Sequence, residues 1–359
     1  MHIPDGYLSP STCAALYASA GVGWYAALRR VKCVFTTRLI PLISVFAAFS
    51  FVLMMFNLPL PGGTTGHAIG VTIASIILGP SGAILSISIA VAIQALFFGD
   101  GGITTLGANC FNMAIVGSLM AYVTYRLVAA GAAISSRRRV VAAAIAGYLA
   151  ANTAAFVAAV EFGIQPLFFH NARGVPLYAP YPLSVAIPAM MIGHLAVAGI
   201  AEAVIAAGLV AYLQVADPLL LGNTSGLSDS ATSTPVFVPQ KSLRKLWLTV
   251  ALLMLLTPLG ILAGGTAWGE WSMSQVSAAA DQKAIPTTSH DQAQPSSPPA
   301  GLQRLCSLWT APIPNYAPEF VKSPRFGYLL SAMFGVGMLM AFSLVIQRIL
   351  QRRRTAGQP

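Results

Sequence analysis

The chain opens Met1-His2-Ile3-Pro4-Asp5-Gly6-Tyr7, and three different nitrogens fall within its first two residues. A free amine on Met1, the backbone amide of His2 and the His2 imidazole can close two fused chelate rings around one metal ion. An amide nitrogen binds only after losing its proton. That suits square-planar or tetragonal geometry, and so Ni(II) or Cu(II) most readily, with Co(II) next. His2 is bulky, and methionine removal generally needs a small second residue, so Met1 is expected to remain. The start has no Lys or Arg ahead of an apolar run, as a signal peptide would. Taken alone, a Met-His start is more often just a frayed terminus.

A fourth donor would separate these readings, and His67 is the candidate. It follows Pro59-Leu60-Pro61-Gly62-Gly63-Thr64-Thr65-Gly66, a bent loop by its prolines and glycines. Thr64 or Thr65 is expected to cap the next helix and place His67 in its first turn. A helix amino terminus disfavours protonation of a nearby imidazole, and neutral imidazole is the form that ligates metal. A second glycine-rich run extends from Gly99-Asp100-Gly101-Gly102 to Asn112. It can fold over a bound ion or be a plain turn. Asp100 could accept an N–H from a ligating histidine, as carboxylates behind metal-bound imidazoles do. Asn109 and Asn112 project from the next helix start and could support the same site.

His194 and Glu202 stand eight residues apart in one apolar run, nearly on one helix face. Ionisable groups inside a span are either functional or paired within the bundle, and the spacing leaves both open. Glu161, near an outer span end, is expected to be solvated. His170 and His290 fall in outer loops and look incidental.

The elements that must position these residues are membrane helices. Of 359 residues, 56% are hydrophobic and 8% charged, with mean hydropathy +0.72. Soluble domains carry about 25% charge. The fold class is therefore all-α, a polytopic helix bundle. Turn signals and charges mark nine spans, near 9–28, 39–56, 67–79, 82–98, 109–130, 140–161, 183–213, 246–266 and 327–347. Spans three and four are short and joined by Gly79-Pro80-Ser81-Gly82, a tight hairpin. With the amino terminus outside, 15 of the 20 Lys and Arg residues fall on the inner side. The positive-inside rule thus puts the amino terminus outside and the carboxyl terminus inside. Residues 1–213 form a seven-span module, 214–245 a cytoplasmic linker, and 246–359 a two-span module. Residues 214–240 are flexible by composition, and 272–300, rich in Ser, Ala, Gln and Pro, form a disordered external loop.

Four scattered cysteines, with no CxxC pair, suggest neither a zinc site nor a disulfide framework. None of the five lysines follows a glycine, so the chain has no P-loop. HExxH and GxSxG are absent too.

These motifs, taken in order, resemble a known family. MHIPDGYLSP, LPGGTTGHAIG, LFFGDGGITTLGANCFNM and the His194/Glu202 span look like the cobalt/nickel substrate-binding subunit of energy-coupling factor transporters. The likeness covers residues 1–213. TPLGILAGGTAWGEW (257–271) and PNYAPEF (314–320) resemble that system's small two-span companion subunit, here fused, with a longer middle. The resemblance implies that Met1 and His2 supply amine, amide and imidazole nitrogens and His67 the fourth donor. It implies no cofactor beyond the transported Co(II) or Ni(II). It also implies a separate transmembrane coupling subunit and two cytoplasmic ATPase subunits, in a bacterial-type cell membrane. The expected function is external capture of the ion for ATP-driven import. A membrane-embedded metalloenzyme and a passive metal channel are the alternatives; no placed general base favours the first.

Overall fold

The structure is a computed structural model that describes residues 1–34, 39–60, 64–224, 240–263, 268–269 and 298–355. An extended amino-terminal segment leads into α1 (Pro10–Val34) and α2 (Leu39–Met54). Strands β1 (Leu58–Leu60) and β2 (Thr64–Gly66) pair antiparallel as a small hairpin. Then come α3 (Val71–Ile93) with a π turn at Gln94–Phe98, and α4 (Leu106–Asn109), which runs through a second π turn into α5 (Gly117–Val128). Helix α6 (Arg137–Gly163) leads by α7 (Gln165–Phe168) to α8 (Leu183–Gly193). A third π turn at His194–Ala198 joins α8 to α9 (Gly199–Ala216). The remainder is α10 (Gln240–Leu256), α11 (Ala300–Leu305) and α12 (Pro324–Thr355). Among the described residues, six helices are long and apolar enough to cross a membrane, with Leu39–Met54 a shorter apolar helix.

One of the six, Val71–Phe98, is a hairpin rather than a rod. Gly79 has φ 71°, ψ 171°, a conformation that only glycine adopts freely, and Pro80 follows it. At about 1.5 Å per residue, a straight helix of that length would hold its ends some 40 Å apart. Yet His67 and Asp100, just beyond those two ends, both touch His2. The chain therefore reverses at the Gly79-Pro80-Ser81-Gly82 break. Its first arm is short, so residues 67–70 run non-helically down into the bundle to meet it.

Helix α6 buries a face of small residues: Ala142, Ala143, Ala146, Gly147, Ala150 and Ala151. Small faces let helix backbones approach closely within a membrane. A Cβ on Gly147 would stand 2.9 Å from the Glu202 carbonyl oxygen of α9. That close crossing fixes where Glu202 points.

Two expectations change here. Thr64 and Thr65 do not cap a helix: they lie in β2, and α3 begins only at Val71, after Gly70. His67 therefore lies ahead of the helix, not in its first turn. Glu161 is buried rather than solvated, because Asn112 Nδ2 donates to its Oε2 at 2.8 Å. Within the expected 214–245 linker, the described residues include the end of α9, a 3-10 turn at Pro218–Thr224 and the start of α10. Residues 225–239 and the greater part of the 272–300 loop, His290 included, lie outside the described residues.

Candidate metal centre

The amino terminus is not frayed. Met1 is 3% exposed, His2 1%, and Ile3 and Leu8 are wholly buried. Asn109 holds Ile3 at both ends: its Oδ1 accepts from Ile3 N at 2.8 Å, and its Nδ2 donates to Ile3 O at 3.1 Å. Gly102 N and the Thr105 hydroxyl also donate to Ile3 O. The Asp5 carboxylate accepts from Ile103 N at 3.1 Å and from Thr104 N at 2.7 Å. A Cβ on Gly102 would collide with the Asp5 backbone and side chain, so the glycine-rich run is a cover that can close over residues 3–5. From the far side, Gln165 Oε1 accepts from Ser9 N and Ala179 N donates to Tyr7 O. The stretch is docked residue by residue, as a chelating backbone requires.

His67 meets this terminus directly. The His2 and His67 rings stack with centroids 5.0 Å apart and planes 29° from parallel. His67 Nδ1 lies 3.2 Å from Ala68 O, while its buried Nε2 has no partner. The ring is buried, and Nε2 is the nitrogen left open to a ligand. Asp100 faces the other ring, with Oδ1 2.7 Å from His2 Nδ1 but out of line for a hydrogen bond. Burial alone would raise the Asp100 carboxyl; the adjacent His2 outweighs it and holds the pKa below the usual carboxylate range.

The loop carrying His67 is fixed by Glu202. Its Oε2 accepts from Ile69 N and Gly70 N, each at 2.8 Å, and its Oε1 from Thr72 N at 3.2 Å. Non-helical backbone at membrane depth must be satisfied from within the protein, and this buried carboxylate does so. Charge-assisted bonds of this kind are the strong ones. In Glu202→Gln an amide NH2 replaces one oxygen, so at least one backbone N–H loses its acceptor. We expect a destabilisation of about 1–3 kcal/mol and weaker nickel binding through a loosened His67. Thermal unfolding and nickel titration check both; wild-type values in each would remove the positioning role.

The expected residues divide. Met1, His2, His67 and Asp100 come together, and Asn109 grips the backbone beside them. Asn112 is elsewhere, donating to Glu161. His194 is buried in its π turn, with Nδ1 2.8 Å from Met190 O and Nε2 unpartnered. His170 is a surface residue beside an isolated bridge to Pro176. Among the described residues, no group of three or more His, Cys, Asp or Glu side chains could hold a metal. Three contributors went unassigned in the sequence: Asp5, Gln165 and Tyr316. Tyr316 sits within the PNYAPEF stretch, and its hydroxyl donates to Asp100 Oδ2 at 2.5 Å.

Comparison with known proteins decides the family. Residues 2–220 match the family described as the cobalt uptake substrate-specific transmembrane region. The chain belongs to this family. Residues 244–352 of this family member match a second one, the PDGLE domain. A fused nickel transport protein of Rhodobacter capsulatus is 52% identical over 95% of each chain. A probable fused nickel transport protein of Lactiplantibacillus plantarum is 39% identical over 80% of this chain and 83% of its own length. A crystal structure of a truncated transition metal transporter superposes with TM-score 0.56 at 50% identity, covering 59% of this chain and 98% of that one.

Proposed function

We propose that this protein is the capture component of a nickel or cobalt uptake system. The ion would be held by the Met1 amine, the deprotonated His2 amide, the His2 imidazole and His67 Nε2. The carrying observation is the pair of buried imidazoles, stacked at 5.0 Å on a docked amino terminus, with His67 Nε2 unpartnered. His2 would ligate through Nδ1, because that nitrogen closes a six-membered ring with the His2 amide. Four nitrogens select transition metals over Mg(II) and Ca(II), which prefer oxygen. For such a set, affinity favours nickel over cobalt.

The relatives are transport proteins, and the chain is a multi-pass membrane transporter component rather than an enzyme. The metalloenzyme alternative falls with that. On this reading residues 1–213 carry the ion, and 246–359 assist without ligating it. The amino terminus faces outward, as the distribution of Lys and Arg supports. By the resemblance to energy-coupling factor systems, a separate coupling subunit and two ATPase subunits would supply the energy. The purified protein should contain close to one nickel or cobalt ion per chain by elemental analysis, with the absorption of a four-nitrogen planar complex. Uptake by cells should stop when ATP is depleted. Metal-free protein, or uptake that survives ATP depletion, would count against this function.

A further inference from the structure

Glu161 lies in α6 and Asn112 in the π turn at Cys110–Val116, and both are buried, at 5% and 0% exposed. Asn112 Nδ2 donates to Glu161 Oε2 at 2.8 Å. The second oxygen of each side chain, Glu161 Oε1 and Asn112 Oδ1, is buried without a partner among the described residues. With the carboxyl ionised, both of these oxygens are acceptors, and neither can serve the other. The carboxylate's charge goes unmatched as well, because its side-chain partner is a neutral amide. An unpaired carboxylate inside a membrane bundle is costly, and buried groups of this kind take up a proton instead.

One proton removes all three difficulties. A carboxylic acid keeps an acceptor and gains an O–H donor. With Oε1 protonated, its O–H can donate to Asn112 Oδ1 while Oε2 goes on accepting from Nδ2. The two side chains then form a closed acid–amide pair with two hydrogen bonds and no charge. A bound cation would also cancel the charge, but hard cations take about six or more oxygens, and the pair offers two.

The pair stands between two elements that hold the amino terminus. Asn112 follows Asn109, which clamps Ile3 at both ends. On the other side, Gln165 Nε2 donates to the Glu161 carbonyl at 2.9 Å, and Gln165 Oε1 accepts from Ser9 N. π turns inside helices are frequent at functional sites, and this one presents Asn112 to the acid.

We infer that Glu161 is a proton-binding site, whose proton, donated to Asn112 Oδ1, closes the joint between α6 and the helix that carries Asn109.

Infrared spectra of the metal-free, full-length protein at neutral pH test it. The wild type should show the C=O stretch of a buried carboxylic acid, and Glu161→Gln should lose that band. Glu161→Gln should also keep the wild-type unfolding midpoint, because its uncharged amide can close the same two bonds with Asn112. Asn112→Ala should keep the acid but shift its band, since the O–H loses its acceptor, and should unfold at a lower temperature. A band that survives Glu161→Gln, a lowered midpoint in that variant, or a band unmoved by Asn112→Ala would each overturn the inference. So would a wild type with no acid band and a midpoint that rises with added sodium, which would put a cation there. If Asn112→Ala fails to fold, Glu161→Gln decides alone. None of these readouts involves nickel or cobalt, so they stand apart from the ligand set proposed above.

Discussion

His67→Ala should lose most nickel binding, by at least about 10-fold in affinity, while the protein stays folded and inserted. The two halves of that expectation have separate physical grounds. Affinity would fall because, on the proposed ligand set, the substitution removes the side-chain nitrogen that reaches the terminus from another element. No nearby group is placed to replace it: Asp100 is engaged by Tyr316 and faces the other ring. The fold survives because the loop does not depend on the imidazole. Besides its stack on His2, the ring's tie is a 3.2 Å contact with the adjacent Ala68 carbonyl. Glu202 holds Ile69, Gly70 and Thr72 by their backbone N–H groups, and β1 pairs with β2 whatever stands at position 67. Nickel content by elemental analysis, beside a thermal unfolding curve of the metal-free protein, reads both. Unchanged nickel content would refute the ligand assignment, and a collapsed unfolding transition would refute the claim that the loop stands on its own.

Much of this was legible in the sequence, and what was not has a physical cause. The apolar spans announce themselves by composition, and the hairpin by Gly79-Pro80, because few other pairs reverse a helix so sharply. His2, His67 and Asp100 could be brought together because each lies at a turn expected on the same side. The capping of α3 could not be read. Thr64 and Thr65 offered the usual local signal, but the cap came from Glu202, 130 or more residues away. A long-range carboxylate leaves no mark in nearby sequence. Glu202 was visible only as an expensive residue in a span, equally consistent with a helix–helix bond. Asn109 and Asn112 looked alike, three residues apart. The intervening π turn from Cys110 helps send one to Ile3 and the other to Glu161, and such turns do not show in apolar periodicity. Tyr316 was hidden most deeply, since its contact with Asp100 comes with a left-handed backbone at Asn315 and at Tyr316 itself, a residue that ordinarily avoids it.

The largest expected effect belongs to the start of the chain. If the Met1 amine and the His2 amide both bind, a single alanine ahead of Met1 should abolish high-affinity nickel binding. The amine would move one residue away, and the compact pair of fused rings would open. Acetylating Met1 should do the same by removing the amine's lone pair while leaving every side chain untouched. His2→Ala should also abolish binding, by deleting the imidazole. The docking of this segment sharpens the test. Asn109, Gly102 and Thr105 hold Ile3, and Asp5 is held by Ile103 and Thr104. None of these bonds uses the terminal amine. Residues 3–9 should therefore stay in place in all three variants, and buried Ile3 and Leu8, worth about 1.5–3 kcal/mol each, keep anchoring them. Helix content and the metal-free unfolding midpoint should stay near wild type, so lost binding would report on the donors. A site built from His67 with His194 or Asp100 predicts something different: extension and acetylation would leave affinity unchanged, and only the imidazole substitution at His67 would matter. Isothermal titration of nickel and cobalt into the three variants separates the two. Wild-type affinity in the extended protein would end the case for a terminal chelate, because a bond to that amine at its present position could no longer form.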